Sequence, residues 1–238
     1  MLTQLKFFLG FLLLCSMASF AGASSTVSNI HAMSGWGSCS ACAGKGANGP
    51  VARYSMTQHR NSPSMTSNST QFWIGGSRPY SDVLWYKSVP ASASARHFTY
   101  DLYFYIQNPS ASEALEFDLN VAYNHRYYVF GNECNPKSSH TWDVWNASAG
   151  HWDSTGIACP AFPAYKWNHV TIAMERTSDS RLHYISITYN GVTHYVNRYI
   201  NSRSTGYSNG VSVDFQMDGN SSQTPYSVWL DRMNLSYY

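Results

Sequence analysis

The chain has 238 residues, a formal charge of +2, 12% charged side chains and 16% aromatic ones. That length suits one well-buried domain and is short for two. Charge is spread thinly with no basic block, which gives no footing to a nucleic-acid partner or an acidic membrane surface.

Lys6, the mostly apolar run 7–20 and the small residues Ala21-Gly22-Ala23 read as a secretory signal, 1–23, with its cleavage site. The apolar run is too short to span a bilayer, and no other long one follows. The expectation is a secreted or periplasmic protein, a single domain over 24–238, with no membrane insertion once the signal is removed. Four cysteines then remain: Cys39, Cys42, Cys134 and Cys159. An even number in an exported chain implies two disulfides, with three pairings open. Cys39 with Cys42 and Cys134 with Cys159 is the favoured set, because the first two are near neighbours and the second two would close a hairpin-like segment. A redox or zinc role for Cys39 and Cys42 lacks the strand-to-helix context of the first and the second ligand pair of the other.

Ser24 to Ser40 is a polar lead, Gly44 to Pro50 a loop, Val51 to Met56 the first strand, and Gln58 to Thr70 a Ser/Asn/Thr-rich loop. Gln71 to Ile74 and Asp82 to Lys87, which carries Trp85, are short strands, and Val89 to Ala95 is a link. His97 to Ile106 alternates cleanly, with Phe98, Tyr100, Leu102, Phe104 and Ile106 on one face and His97, Thr99, Asp101, Tyr103 and Tyr105 on the other. After the turn Asn108-Pro109-Ser110, Leu115, Phe117 and Leu119 alternate with Glu116, Asp118 and Asn120. These two strands are expected to be antiparallel neighbours, which would set Tyr103 and Tyr105 beside Glu116.

Tyr127 to Gly131, Thr141 to Trp145, Val170 to Glu175 and Leu182 to Tyr189 are further strands, and Asn190-Gly191 predicts a tight type I′ hairpin into Thr193 to Tyr199. Val211 to Asp218 repeats the pattern of 115–120, with Ser212, Asp214, Gln216 and Asp218 on its polar face. Tyr226 to Tyr237 closes the chain, and a change of phase between Leu230 and Met233 predicts a bulge. No segment has a helical period. Short strands between turn signals predict an all-β fold of two packed antiparallel sheets.

Carboxylates are depleted in strands, and like charges on one face repel each other. Two strands with an apolar back and an acid-amide front therefore mark a polar site. Aromatic side chains in an exported chain suit sugars, whose pyranose faces stack on flat rings, although all-β proteins are rich in Tyr and Trp in any case. The plain alternative makes Glu116 and Asp118 part of a wet sheet face, ion-paired with Arg126, Arg176 or Lys87.

Trp167-Asn168-His169-Val170-Thr171, leading through Tyr184-Ile185-Ser186-Ile187 to Asn190-Gly191, resembles the Trp-x-x-Val, strand and Asn/Asp-Gly hairpin arrangement of laminin-G-like and concanavalin A-like domains. Val228-Trp229-Leu230-Asp231-Arg232-Met233-Asn234-Leu235 is similar to their closing strand. The resemblance implies a jelly-roll sandwich with one face that binds or cuts polysaccharide in many relatives. Against laminarinase-type hydrolases, Glu116 and Asp118 match Glu-x-Asp-x-Glu, but Asn120 and Val121 occupy the places of the last Glu, and an amide cannot act as acid/base. Against the endoglucanase and xylanase group, Glu116 would be the nucleophile, with Asp218 or Asp214 as acid. Against legume-type lectins, Leu115-Glu116-Phe117-Asp118 is similar to Val-Glu-Phe-Asp, with Asn120 or Asn124 as an added oxygen, whereas their later Asp and His have no counterpart.

The reading is a carbohydrate-binding, lectin-like protein that recognises polysaccharide or oligosaccharide on one sheet face through Asp118, Asn120, Tyr103, Tyr105, Gln216 and Trp85. The alternative is a retaining endo-glycoside hydrolase using Glu116 with Asp218 or Asp214. A third option is a non-enzymatic extracellular interaction protein. No metal ligand set is assigned, and a structural calcium is the one cofactor admitted.

Overall fold

Alternating apolar and polar residues decide which side of each strand is buried, and a long series of such strands can only close by packing two sheets together. The computed structural model describes residues 24–40 and 52–238, and it has this architecture. One sheet has eight strands, in the spatial order Val192–Asn201, Arg181–Tyr189, Lys166–Arg176, His97–Ile106, Tyr226–Tyr237, Ser69–Gly75 and Arg53–Arg60, with Ser25–Val27 beside Tyr226–Tyr237. The other has nine, in the order His151–Ala158, Thr141–Asn146, Asn132–Asn135, Ser112–Tyr123, Gly210–Gly219, Asp82–Val89 and Gly37–Cys39, and Arg126–Phe130 also pairs with Ser112–Tyr123 and carries Arg203–Ser204. No helix among the described residues is long and apolar enough to cross a membrane.

The inward faces interdigitate through rings. Phe104 of the first sheet meets Phe117 of the second at 5.6 Å, and Phe72 meets Phe215 at 5.1 Å. Burying each such side chain stabilises the fold by about 2 to 3 kcal/mol. Asn190 and Gly191 have φ of 48° and 85°, as a type I′ turn requires. The closing strand slips register between Asp231 and Asn234, with Arg232 at φ 50°, where the change of phase predicted a bulge.

Three expectations are corrected. His97–Ile106 and Ser112–Tyr123 are not neighbours, because the short 3-10 turn Pro109–Ala111 carries the chain from one sheet to the other. Trp85 is 2% exposed and packs on Phe72 and Phe215, since the parity of its strand aims it inward and leaves Tyr86 outside. The first long strand spans Arg53–Arg60, taking in part of what reads as a loop. The disulfide Cys134–Cys159 is present, while Cys42 and the signal segment 1–23 lie outside the described residues.

One buried polar knot ties the lead to the closing strand. Asp231 is fully buried and accepts hydrogen bonds from the Ser64 hydroxyl, the Met65 and Thr66 N–H groups and the Thr66 hydroxyl. Beside it lies His31, equally buried, with Nε2 3.6 Å from an Asp231 oxygen.

Candidate functional site

The outward side of Ser112–Tyr123 carries Glu116, Asp118 and Asn120, and the outward side of Gly210–Gly219 carries Ser212, Asp214, Gln216 and Asp218. Antiparallel pairing sets Asp118 opposite Asp214, Glu116 opposite Gln216 and Asn120 opposite Ser212. Three further acids join them from flanking strands: Glu133 opposite Glu116, Asp143 opposite Glu133, and Asp82 opposite Asp218. Seven carboxyl groups thus share the outer face of one sheet. None of the ion pairs among the described residues involves any of them. The expected arginine partners are engaged elsewhere: Arg126 donates to Ser202, and Arg176 donates to the Ser94 and Ala95 carbonyls while lying over the Tyr123 ring.

Amides take the place of cations. Gln216 Nε2 donates to Glu116 and, at 2.9 Å, to Asp218, while Asn120 Nδ2 donates to Asp214 at 2.5 Å. Asp118 accepts the Asn132 backbone N–H at 2.9 Å, where the partner of Ser112–Tyr123 changes from Arg126–Phe130 to Asn132–Asn135. Part of the role of Asp118 is therefore to hold that break in pairing. Two acceptors, Asn120 Oδ1 and Gln216 Oε1, are buried with no donor.

Burial is the main cause of the raised pKa values of six carboxyl groups, Glu116, Asp118, Glu133, Asp214, Asp218 and Asp82. Glu116 is pushed well above the usual range by burial and then by Asp218, Asp118 and Glu133. Asp218 is likewise held well above it by burial and then by Glu133 and Asp82, and Asp118 by burial and then Asp214. Glu133 rises to about 7 by burial, against the Asn135 hydrogen bond, and Asp214 to about 7 by burial, against Ser212 and Asn120. Burial brings Asp82 to about 6.

The middle of the row, Glu116, Asp118 and Asp214, lines a groove. A hollow of about 210 Å³ is lined by Glu116, Asp118, Asn120, Asp214 and Gln216, with Trp145 and Trp152 as its wall. A second hollow, of about 570 Å³, shares Asn120 and Tyr127 with it and continues to Tyr86 and Tyr207. Trp145 and Trp152 pair across a hairpin with centroids 5.3 Å apart, and Tyr127 meets Tyr207 at 5.4 Å. The Trp pair fits there because Gly131 lies beneath it, where a Cβ would come within 2.7 Å of Trp145 Cβ.

Six residues expected from the sequence come together here: Glu116, Asp118, Asn120, Asp214, Gln216 and Asp218. Tyr103 and Tyr105 do not. They lie on the outer face of the opposite sheet, where Tyr103 stacks on His169 at 4.2 Å and Tyr105 packs against Trp167 and Trp229. Trp85 is in the core. Glu133, Asp143, Asp82, Trp145, Trp152 and Tyr127 were not singled out from the sequence. The alternation of Asp143 and Trp145 with Trp142 and Val144 was a readable signal for two of them.

Chemically, the groove offers flat rings, acceptors for hydroxyl groups and carboxyl groups whose pKa values burial raises. One oxygen each from Glu116, Glu133 and Asp218 lies within 4.8 Å of the others, a spacing compatible with a shared cation.

No family model matches the chain, and no curated protein matches it. Among solved structures it is similar to the cellulose induced protein Cip1, with 11% identity and a TM-score of 0.51 over 84% of this chain and 90% of that one. It is also similar to a carbohydrate esterase from a Shiga toxin-encoding bacteriophage, with 10% identity and a TM-score of 0.49 over 90% and 99% of the two chains. A family 11 carbohydrate-binding module from Clostridium thermocellum aligns with 12% identity and a TM-score of 0.42 over 89% and 94%. At these identities the likeness is one of fold alone.

Proposed function

We propose that this chain is an exported carbohydrate-binding protein that takes a neutral polysaccharide along the outer groove of the nine-stranded sheet. The observation that carries the reading is the order of chemistry along one surface: the Trp145 and Trp152 rings, then a row of acids and amides, then Tyr127, Tyr207 and Tyr86. Rings at both ends match sugar faces, and the acceptors between them match hydroxyl donors. With no cationic partner among its acids in the described residues, the row offers nothing to pair with a uronate or a sulfate, which favours a neutral ligand. The Cys134–Cys159 disulfide supports an oxidising compartment. The motifs at 167–191 and 228–235 support the concanavalin A-like variety of sandwich.

Retardation in gels containing β-glucan, xylan or galactan tests the reading. One of these neutral polymers is expected to retard the wild type and not Trp145→Ala. Retention equal in both proteins, or none on any polymer, overturns it.

A second reading is a retaining endo-glycosidase with Glu116 as nucleophile and Asp218 as acid. It is favoured by their oxygens lying within 4.8 Å, near the roughly 5 to 5.5 Å of retaining pairs. Asp214 stands opposite Asp118 instead, so Asp218 is the partner this reading takes. Release of reducing sugar that is lost in Glu116→Gln would select it over binding alone.

A further inference from the structure

Each sheet ends in a strand with a single neighbour: Val192–Asn201 closes the eight-stranded sheet and His151–Ala158 the nine-stranded one. Such an edge leaves one row of backbone groups unpaired. Arg198 joins the two edges. Its Nη2 donates to the Ser154 carbonyl at 3.1 Å, and its Nη1 stands 3.4 Å from Asp153 Oδ2. A planar guanidinium has the fork to reach both at once, which an ammonium lacks. No other hydrogen bond or ion pair among the described residues links these two strands.

The arm held in this way carries Trp152. Asn146 stands opposite His151, Trp145 opposite Trp152, Val144 opposite Asp153 and Asp143 opposite Ser154, and the ladder then slips between Trp142 and Asp143. The arm is therefore paired only between a turn and a bulge, with open edge beyond it. Side chains alternate, so Trp152 faces the groove and Asp153 faces the other way, on the side of the buried Val144. A carboxylate on that side needs partners. His151 Nε2 lies 2.8 Å from its Oδ1, and Asn146 Nδ2 donates to its Oδ2 at 3.0 Å, but both belong to the same hairpin and move with it. Arg198 is the partner anchored in the opposite sheet.

We propose that Arg198 is a positioning residue for the groove: it clasps Asp153 and Ser154 from the opposite sheet and so fixes the Trp152 ring beside Trp145 as a sugar-stacking wall. The effect on affinity rests on the sugar-binding reading above, whereas the effect on the rings does not. The Arg198 and Asp153 side chains are 36% and 23% exposed, so salt screens the clasp. A neutral polysaccharide brings no charge of its own, and the clasp then makes its binding weaken as ionic strength rises.

Trp145 and Trp152 are the one indole pair among the ring contacts of the described residues, and two indoles 5.3 Å apart give a coupled circular-dichroism signal set by their mutual angle. Loss of that signal in Trp145→Phe assigns it. The full chain and its Arg198→Gln variant are compared by this signal and by retardation in gels of whichever neutral polymer retards the wild type. Arg198→Gln is expected to alter the signal and to weaken binding about two- to five-fold, the worth of an exposed ion pair. Between about 0.05 and 0.5 M sodium chloride the wild type is expected to lose both signal and affinity, and Arg198→Gln to lose neither further. Arg198→Lys, which keeps the charge without the fork, is expected to recover part of the signal. Arg96→Gln, which breaks an ion pair with Glu175 that does not reach the nine-stranded sheet, is expected to change nothing. An unaltered signal in Arg198→Gln overturns the proposal, whatever the gels show. So does an altered signal with unchanged retardation, since the ring would then be held in place without serving a ligand. Should no polymer retard the wild type, the sugar-binding reading fails and the indole signal alone decides whether Arg198 positions the ring. Should Arg198→Gln fail to fold, a wild-type signal insensitive to salt overturns the proposal and a salt-sensitive one supports it.

Discussion

Trp145 and Trp152 stand opposite each other across the hairpin that turns at 146–150, ring against ring at 5.3 Å, forming the wall of the acidic hollow. Both rings are on the outward side of the sheet, whereas Trp142 and Trp85 point into the core. The pairs differ in consequence. Trp145→Ala is expected to weaken polysaccharide binding about ten-fold, or ~1.4 kcal/mol, with little change in the unfolding midpoint. Trp85→Ala is expected to cost ~3 to 5 kcal/mol of stability through the cavity it leaves. Affinity gels and urea denaturation of the two variants separate the effects; a Trp145→Ala protein that binds normally contradicts the assigned groove.

Gly131 sets the position of that wall. A methyl group there would meet Trp145 Cβ at 2.7 Å and the Trp152 ring at 3.2 Å. The first of these atoms is fixed to the backbone and cannot rotate away. Gly131→Ala is therefore expected to cost ~1 to 3 kcal/mol by overpacking and to lower glycan affinity as the rings shift. Denaturation midpoint and gel retardation are the measurements, and a variant unchanged in both contradicts the packing account.

The Cys134–Cys159 bond closes a loop of 25 residues that contains the Trp hairpin, and it anchors the strand carrying Glu133. Loop-closure entropy for that length is worth ~3 kcal/mol. The double variant Cys134→Ala with Cys159→Ala is expected to lose about that much in urea denaturation, and it leaves Cys39 and Cys42 untouched. A loss under about 1 kcal/mol would show that the loop is held by its other contacts.

The sequence made the two polar-faced strands visible because a period of two survives wherever one face is buried and the other is not. It also revealed the closing bulge and the Asn190-Gly191 turn, since both are local. Pairing partners were another matter. Tyr103 and Glu116 look adjacent because only a short turn separates their strands, yet Pro109–Ala111 crosses between sheets, and nothing in the residues marks that crossing. Trp85 was misplaced by parity, as one step along the strand exchanges it with Tyr86. Glu133 escaped notice because Asn132–Asn135 is only four residues long and buried on both faces, leaving too few alternations to read.

The His31 and Asp231 pair gives the protein a stability that depends on pH. His31 Nδ1 accepts the Met233 N–H at 3.3 Å and Nε2 donates to the Asn68 carbonyl at 3.0 Å, which is the bonding of a neutral ring. Burial lowers its pKa below the ordinary 6.5; Asp231 and the Asn68 carbonyl oppose that shift and His59 adds to it. The unfolded chain thus binds this proton first as pH falls. Its contribution to stability is complete above about pH 6.5 and is lost as pH drops from there through the folded-state pKa. Glu133 and Asp214, both raised to about 7, act in the opposite sense, since their contribution is lost as pH rises through that value. A comparison with His31→Gln cancels those common terms. The stability difference, wild type minus variant, is expected to shrink as pH falls below 6.5, by at most ~1.4 kcal/mol per pH unit for one proton. Urea denaturation of both proteins at a series of pH values measures it, and a constant difference across that range would mean that His31 titrates alike in the folded and unfolded chains.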